Sequence, residues 1–209
     1  MLATTVLATG LTHLTDARYF AAWGVDYLCF TLDPAAPEAI TLDYVTALRE
    51  WVAGPTVIVA PGPRPTPALL DACRAAGLTH LYVDWGADLA ALNAAGFRCI
   101  VRLPVAGYDD GDTVRERIGE CATAAAATVV DFTDGGITLA DLRGGRPFPA
   151  GFLANTGVLV DLDLNGEDPR QVVSALGLGG LVVRGSSEEK VGYKSFDDLD
   201  DLFERLEVL

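Results

Sequence analysis

The chain has 209 residues, of which 29 are acidic and 15 basic, giving a formal net charge of −14. Apolar residues make up 50% and charged residues 21%, which excludes extended disorder and leaves ample material for a core. That acidic balance opposes a nucleic-acid surface or a polybasic membrane patch, since both need clustered cations. No apolar run approaches the ~18–20 residues of a membrane span. The opening Met1-Leu2-Ala3-Thr4-Thr5-Val6 lacks the basic and apolar regions of a signal peptide, so a cytoplasmic protein is expected. Cys29, Cys73, Cys99 and Cys121 lie far apart, and with His13 and His80 they form no zinc-binding spacing. Buried free thiols, and neither metal nor cofactor, are the expectation.

Short apolar runs alternate with amphipathic segments along the whole chain. Strands are predicted at 4–9, 27–32, 56–60, 80–84, 98–103, 128–132, 151–154 and 181–184. Helices are predicted at 15–23, 41–52, 66–76, 87–95, 112–126, 138–142, 168–176 and 195–206. Phe196, Leu199, Leu202, Phe203 and Leu206 share one face of the last. Glycines follow several helices, as at Gly24, Gly77 and Gly96, where a C-terminal stop belongs. The seventh strand has a second candidate, 159–164. Eight βα units in 209 residues allow about 26 residues each, close to the sum of a mean strand, helix and two loops. The predicted fold is therefore α/β, a (β/α)8 TIM barrel forming one domain over 1–209. An open doubly wound sheet is the alternative, and no glycine-rich nucleotide fingerprint follows the first strand.

A barrel of this kind carries its chemistry where the strands end. Those positions hold Thr9, Asp33, Arg64, Asp84, Arg102, Asp131 with Asp134, Asn155 with Thr156, and Arg184 with Ser186 and Ser187. Asp33 precedes Pro34 and suits a turn, and Asp84 and Asp134 suit helix N-caps. In Thr128-Val129-Val130-Asp131-Phe132, alternation sets Val130 and Phe132 on one face and Val129 and Asp131 on the other. If the first face meets the helices, Asp131 points into the mouth.

The stretch Ala8-Thr9-Gly10-Leu11-Thr12-His13-Leu14-Thr15-Asp16-Ala17-Arg18, followed by Gly24-Val25-Asp26-Tyr27-Leu28-Cys29-Phe30, resembles the opening of phosphoribosylanthranilate isomerase. Val130-Asp131 is similar to that family's strand-six Leu-Asp, and Leu164-Asn165-Gly166-Glu167-Asp168 to its Leu-Asn-Pro-Glu-Asn helix start. Gly192-Tyr193-Lys194-Ser195 is similar to the segment before its last helix. The resemblance implies an Amadori rearrangement of a phosphoribosylamine, a step of tryptophan biosynthesis, with a small phosphorylated or otherwise anionic ligand. It implies that Asp131 is the general acid and that Thr9 stands at the general-base cysteine. A threonine hydroxyl does not ionise near neutrality. Glu38 falls at a substrate-binding arginine, Trp85 at a histidine, and Asn155-Thr156 before Gly157 at a phosphate-cradling Gly-Gly. Arg184, Gly185, Ser186 and Ser187 with Gly157 and Arg102 are then the candidate substrate and phosphate contacts. Three readings stay open: an isomerase with an altered site, a barrel that only binds or scaffolds, and magnesium- or manganese-assisted chemistry on Asp131, Asp134 and Asp84.

Overall fold

Eight parallel strands close on themselves in chain order in a computed structural model of the chain. It describes residues 1–143, 145, 147–185, 188–190 and 193–208, without the side chains of 188–190, 193, 194 and 198. The strands are β1 (Thr5–Thr9), β2 (Tyr27–Thr31), β3 (Thr56–Ala60), β4 (His80–Asp84), β5 (Arg98–Pro104), β6 (Ala127–Asp131), β7 (Leu159–Asp161) and β8 (Gly180–Arg184). Between them lie α1 (Leu14–Trp23), α2 (Leu42–Arg49), α3 (Pro67–Ala75), α4 (Leu89–Ala94), α5 (Gly111–Ala122), α6 (Leu139–Arg143) and α7 (Pro169–Leu176). After β8, β9 (Glu188–Lys190) and β10 (Tyr193–Lys194) pair antiparallel, and α8 (Asp197–Leu206) follows. Parallel pairing of β8 with β1, from Thr5 opposite Gly180 to Thr9 opposite Arg184, closes the barrel. An open sheet would leave those edges unpaired.

Local chemistry fixes the helix starts. Thr41, Thr66, Asp88, Asp110 and Asp168 each accept a backbone N–H of the first turn that follows, with Pro67 and Pro169 leading α3 and α7. Gly24 and Gly177 end α1 and α7 at φ 72° and 67°, a left-handed conformation that a side chain would strain. Among the described residues Asp84 and Asp134 cap no helix, contrary to expectation: both are turned onto Arg102. Asp33 does make the expected turn, accepting from the Ala35 amide.

Strand alternation divides the core into two parts. Leu7, Cys29, Ile58, Ile100, Val129, Leu159 and Val182 fill the barrel interior, with Tyr27, Ala60, Tyr82 and Ala127 half-buried beside them. The other faces of the strands, such as Val6, Phe30, Val59, Val101, Val130 and Val183, meet the helices. Each fully buried Leu, Val or Phe among them contributes roughly 1.5–3 kcal/mol. All four cysteines are buried and free. Among the described residues no helix is long and apolar enough to cross a membrane.

The seventh strand is the second of its two candidates. Residues 151–154 form turns, and the strand is Leu159–Asp161. At its foot, Gly179 donates to the Val158 carbonyl, and a Cβ on Gly179 would lie 2.3 Å from the Gly157 carbonyl oxygen. Gly157 thus stands at the N-terminal end of the barrel, opposite the mouth. It cannot serve the phosphate-binding role expected of it, and Asn155 and Thr156 lie at the same wrong end.

Candidate active site

The upper layer of the barrel interior is polar because each strand ends one alternation above the apolar layer. Thr9, Thr31, Asp84, Arg102, Asp131, Asp161 and Arg184 stand two residues beyond Leu7, Cys29, Tyr82, Ile100, Val129, Leu159 and Val182 respectively. A cavity of about 290 Å3 opens there, lined among others by Thr9, Glu38, Tyr82, Arg102, Asp161 and Arg184. A second, of about 610 Å3, lies beside it and is bounded by the residues after β7, by β8 and by α8. Asp161 and Arg184 line both.

Asp131 faces inward as its alternation predicted, yet it lines neither cavity. It is 0% exposed and lies behind Arg102. Its Oδ2 accepts from Arg102 Nε at 2.8 Å and lies 2.7 Å from Arg102 Nη2. Its Oδ1 accepts from the Thr133 amide at 2.8 Å and the Thr133 hydroxyl at 2.6 Å. Burial alone raises the pKa of a carboxyl, but here the Thr133 and Arg102 donors outweigh it and hold Asp131 below its ordinary value. The expected general acid is therefore an ionised, fully bonded carboxylate. The outer edge of Arg102 meets Asp84 at 3.3 Å and also Asp134. Asp84, Asp131 and Asp134 converge on this guanidinium, and among the described residues no set of three ligating side chains is placed to hold a metal ion.

Asp161 is in the opposite condition. It is buried, Arg184 Nη2 donates to its Oδ2 at 2.7 Å, and it sits directly opposite Asp131 in the β6–β7 register. Burial pushes its carboxyl up, Arg184 opposes this, and Asp131 adds to it, for a net rise. With strand seven at 151–154, Asp161 falls outside the strand ends where candidate residues are expected. The signal was present: Leu159-Val160-Asp161 repeats the pattern of Val129-Val130-Asp131.

The remaining candidates separate cleanly. The Thr9 hydroxyl is buried and meets no hydrogen-bond partner among the described residues, and it faces the smaller cavity. Burial pushes both the Cys29 thiol and the Tyr82 phenol up, so each is a neutral group below the mouth. Arg102 and Arg184 both reach the mouth, and both are ion-paired. The Gly185 amide donates to the Thr9 carbonyl at 2.8 Å, so it is not free to receive an anion as expected. A Cβ there would lie 3.0 Å from the Gly10 carbonyl, which accounts for the glycine by strand packing. Ser186 and Ser187 lie outside the described residues. Trp85 turns its ring to Arg117 on the outer side, 4.9 Å from guanidinium to centroid, and lines neither mouth cavity.

One curated relative, N-(5'-phosphoribosyl)anthranilate isomerase of Chlorobium luteolum, is 34% identical over 80 residues, 36% of this chain and 36% of that protein. The resemblance is to phosphoribosylanthranilate isomerase. The match spans about a third of the relative's own length, and no protein-family model matches the chain. Two solved structures carry the likeness across the whole fold. The phosphoribosylanthranilate isomerase of Thermus thermophilus aligns with a TM-score of 0.68 at 23% identity, covering 97% of this chain and 98% of that one. A phosphoribosylanthranilate isomerase in complex with reduced 1-(o-carboxyphenylamino)-1-deoxyribulose 5-phosphate aligns at 0.70 and 14%, with the same coverage. At these identities the structural likeness establishes the (β/α)8 barrel, which the strand count also predicted.

Proposed function

We propose that this chain is a phosphoribosylanthranilate isomerase-like barrel that moves a proton within a small phosphorylated sugar derivative, with Asp161 as the acid–base group of the mouth. The observation that carries the reading is the pair of facing carboxylates whose surroundings drive them apart. Asp131 is held ionised behind Arg102, while Asp161 is pushed towards its protonated form on the cavity wall. A raised carboxyl on the wall of a cavity is the one that can exchange a proton with a ligand, while Asp131 stays ionised and out of reach and supplies the fixed charge that helps raise it. An aldose–ketose rearrangement needs a proton delivered to a ring oxygen and another removed from C2, and it needs no group beyond such donors and acceptors. The solved relative that holds a carboxyphenylamino-deoxyribulose phosphate supports a ligand of this class. Thr9 donates and accepts hydrogen bonds but supplies no base, so turnover of phosphoribosylanthranilate itself is expected below the ~1–10³ per second of ordinary enzymes.

The test is solvent exchange rather than turnover alone. Phosphoribosylanthranilate and a simple aldose phosphate are incubated with the protein in deuterium oxide, and the C2 proton is followed by NMR. The wild type is expected to exchange C2–H or form ketose, and Asp161→Asn to slow this by ~10²–10⁴. Exchange unaffected by Asp161→Asn removes Asp161 from the reaction. A wild type that exchanges neither compound supports instead a barrel that binds without catalysis. One observation favours that second reading: the carboxylate matched to the family's acid is fully buried, with its acceptors already taken.

A further inference from the structure

The mouth contains two guanidinium groups, and they differ in what holds them. Arg184 is bound edgewise to Asp161, its side chain is 58% exposed, and Asp163 also lines the cavity beside it. Arg102 is pinned from behind, where Nε and Nη2 both lie on one oxygen of fully buried Asp131. That double contact fixes the plane of the guanidinium and leaves its outer edge towards the cavity that it lines. Two carboxylates cover this edge, Asp84 and Asp134, whose side chains are 52% and 59% exposed.

We infer that Arg102 is the cation that receives the anionic group of the mouth's ligand, and that Asp134, with Asp84, occupies it as an internal anion until the ligand arrives. The inference rests on the mouth being the binding site proposed above. Three carboxylates around one guanidinium leave a local surplus of negative charge, and the two exposed ones are the inexpensive ones to move. Ion pairs open to water contribute little, whereas a carboxylate or phosphate set on a fixed guanidinium fork is bound strongly and with direction. The chain's net charge of −14 does not decide the matter, because charges beyond about 8–10 Å are screened.

The backbone around Asp134 explains how such an exchange proceeds. Thr133 is tied to Asp131 by its amide and hydroxyl. Gly135 is wedged against the next loop, where a Cβ would stand 2.1 Å from the Val105 carbonyl oxygen. Both neighbours of Asp134 are therefore fixed, and releasing Arg102 takes a rotation of one exposed side chain, not a movement of the loop. Glu38, on the same cavity, is an anion and repels the ligand's anionic group, and the other cation there, Arg184, is paired with Asp161.

The experiment is an anion titration of the full chain, read on the Arg102 Nε–Hε signal by nitrogen-15 NMR. Inorganic phosphate and benzoate are used separately, so that the arms distinguish a phosphate from a carboxylate as the recognised group. Asp134→Asn keeps the shape and removes the charge, and it is expected to tighten binding of the preferred anion about two- to fivefold. Arg102→Lys keeps the charge without the fork and is expected to weaken it about tenfold. An Arg102 signal that neither anion moves, or equal affinity in wild type and Asp134→Asn, overturns the inference. Both measurements are made on the wild type, the titration reading anion contact at Arg102 and the deuterium exchange reading proton transfer, so loss of one without the other is separately visible.

Discussion

At one end of the barrel, Arg102 meets Asp131 across β5 and β6, and Arg184 meets Asp161 across β7 and β8. The shortest contact is 2.7 Å in both, the residue types are the same, and the two aspartates face each other in register. Their carboxyls nevertheless move in opposite directions. The difference lies in the donors. Asp131 receives Arg102 on one oxygen and both the amide and the hydroxyl of Thr133 on the other, which more than repays its burial. Asp161 is also buried, but it leans on a largely exposed guanidinium and feels the fixed negative charge of Asp131. An ion pair seen in a structure therefore does not say which protonation state it favours. The count and burial of the donors do.

The largest way to break the comparison is to remove the better-bonded carboxylate. Asp131→Ala leaves Arg102, only a quarter exposed, without its buried partner and frees two Thr133 donors. The expected loss is about 3 kcal/mol of unfolding free energy, at the lower end for a broken buried pair because Asp84 and Asp134 remain. Urea unfolding measures it, and a loss under about 1 kcal/mol would show that the pair is ordinary surface chemistry.

Acidity sharpens the contrast next. A carboxyl whose folded pKa is lowered contributes stability that is present above the ordinary value of 3.8 and lost as pH falls through the folded value. Asp131 therefore weakens the fold on the acid side. Asp161 has the opposite sign: with its folded pKa raised above 3.8, the folded state binds more protons in the interval between the two values. Stability due to Asp161 is thus greatest below that interval and falls as pH rises through it. Unfolding free energies across the acid range are expected to show the deficit of Asp131→Asn shrinking at the lowest pH. The advantage of Asp161→Asn over wild type should grow as pH rises from about 4.

At neutral pH, Asp161→Asn itself is expected to change stability by less than about 1 kcal/mol, and towards the stable side. An amide escapes the desolvation that opposes the carboxylate, and exposed Arg184 regains water. A loss of more than about 2 kcal/mol in urea unfolding would mean that the Arg184 pair holds the mouth together, and the two pairs would no longer be opposites.

The barrel was readable because strand alternation and helix caps are local. Val129 and Val130 announce which way Asp131 faces without knowledge of any other strand. Of the two sequence candidates for strand seven the first, the apolar Gly151-Phe152-Leu153-Ala154, folds as turns, and the strand forms within the second, where it is only three residues long. That single shift hid Asp161 and carried Gly157 to the wrong end. The convergence of Asp84, Asp131 and Asp134 on Arg102 was not legible at all. It depends on three strand ends meeting across the mouth, and spacing along the chain carries no trace of it. Nor does sequence show that Asp131, correctly aimed inward, is sealed behind an arginine.

The smallest expected effect comes from the weaker cation, and it tests the comparison at its finest grain. Arg184 is 58% exposed and 2.7 Å from Asp161, a geometry in which water already solvates most of the guanidinium. Truncation in Arg184→Ala therefore costs little through the pair itself, about 0.2–1 kcal/mol. Its clearer consequence is on Asp161, where Arg184 is the leading force holding the pKa down against burial and against Asp131. Without it, the carboxyl keeps its proton to still higher pH, and its titration, followed by carbon-13 NMR of the side-chain carboxyl, moves upward. Asp131 should not follow, because Arg102 and Thr133 are left in place. If the Asp161 titration stays where it was, Arg184 is not what holds it down, and if both aspartates move together, the loss of Arg184 has rearranged the mouth and not one pair.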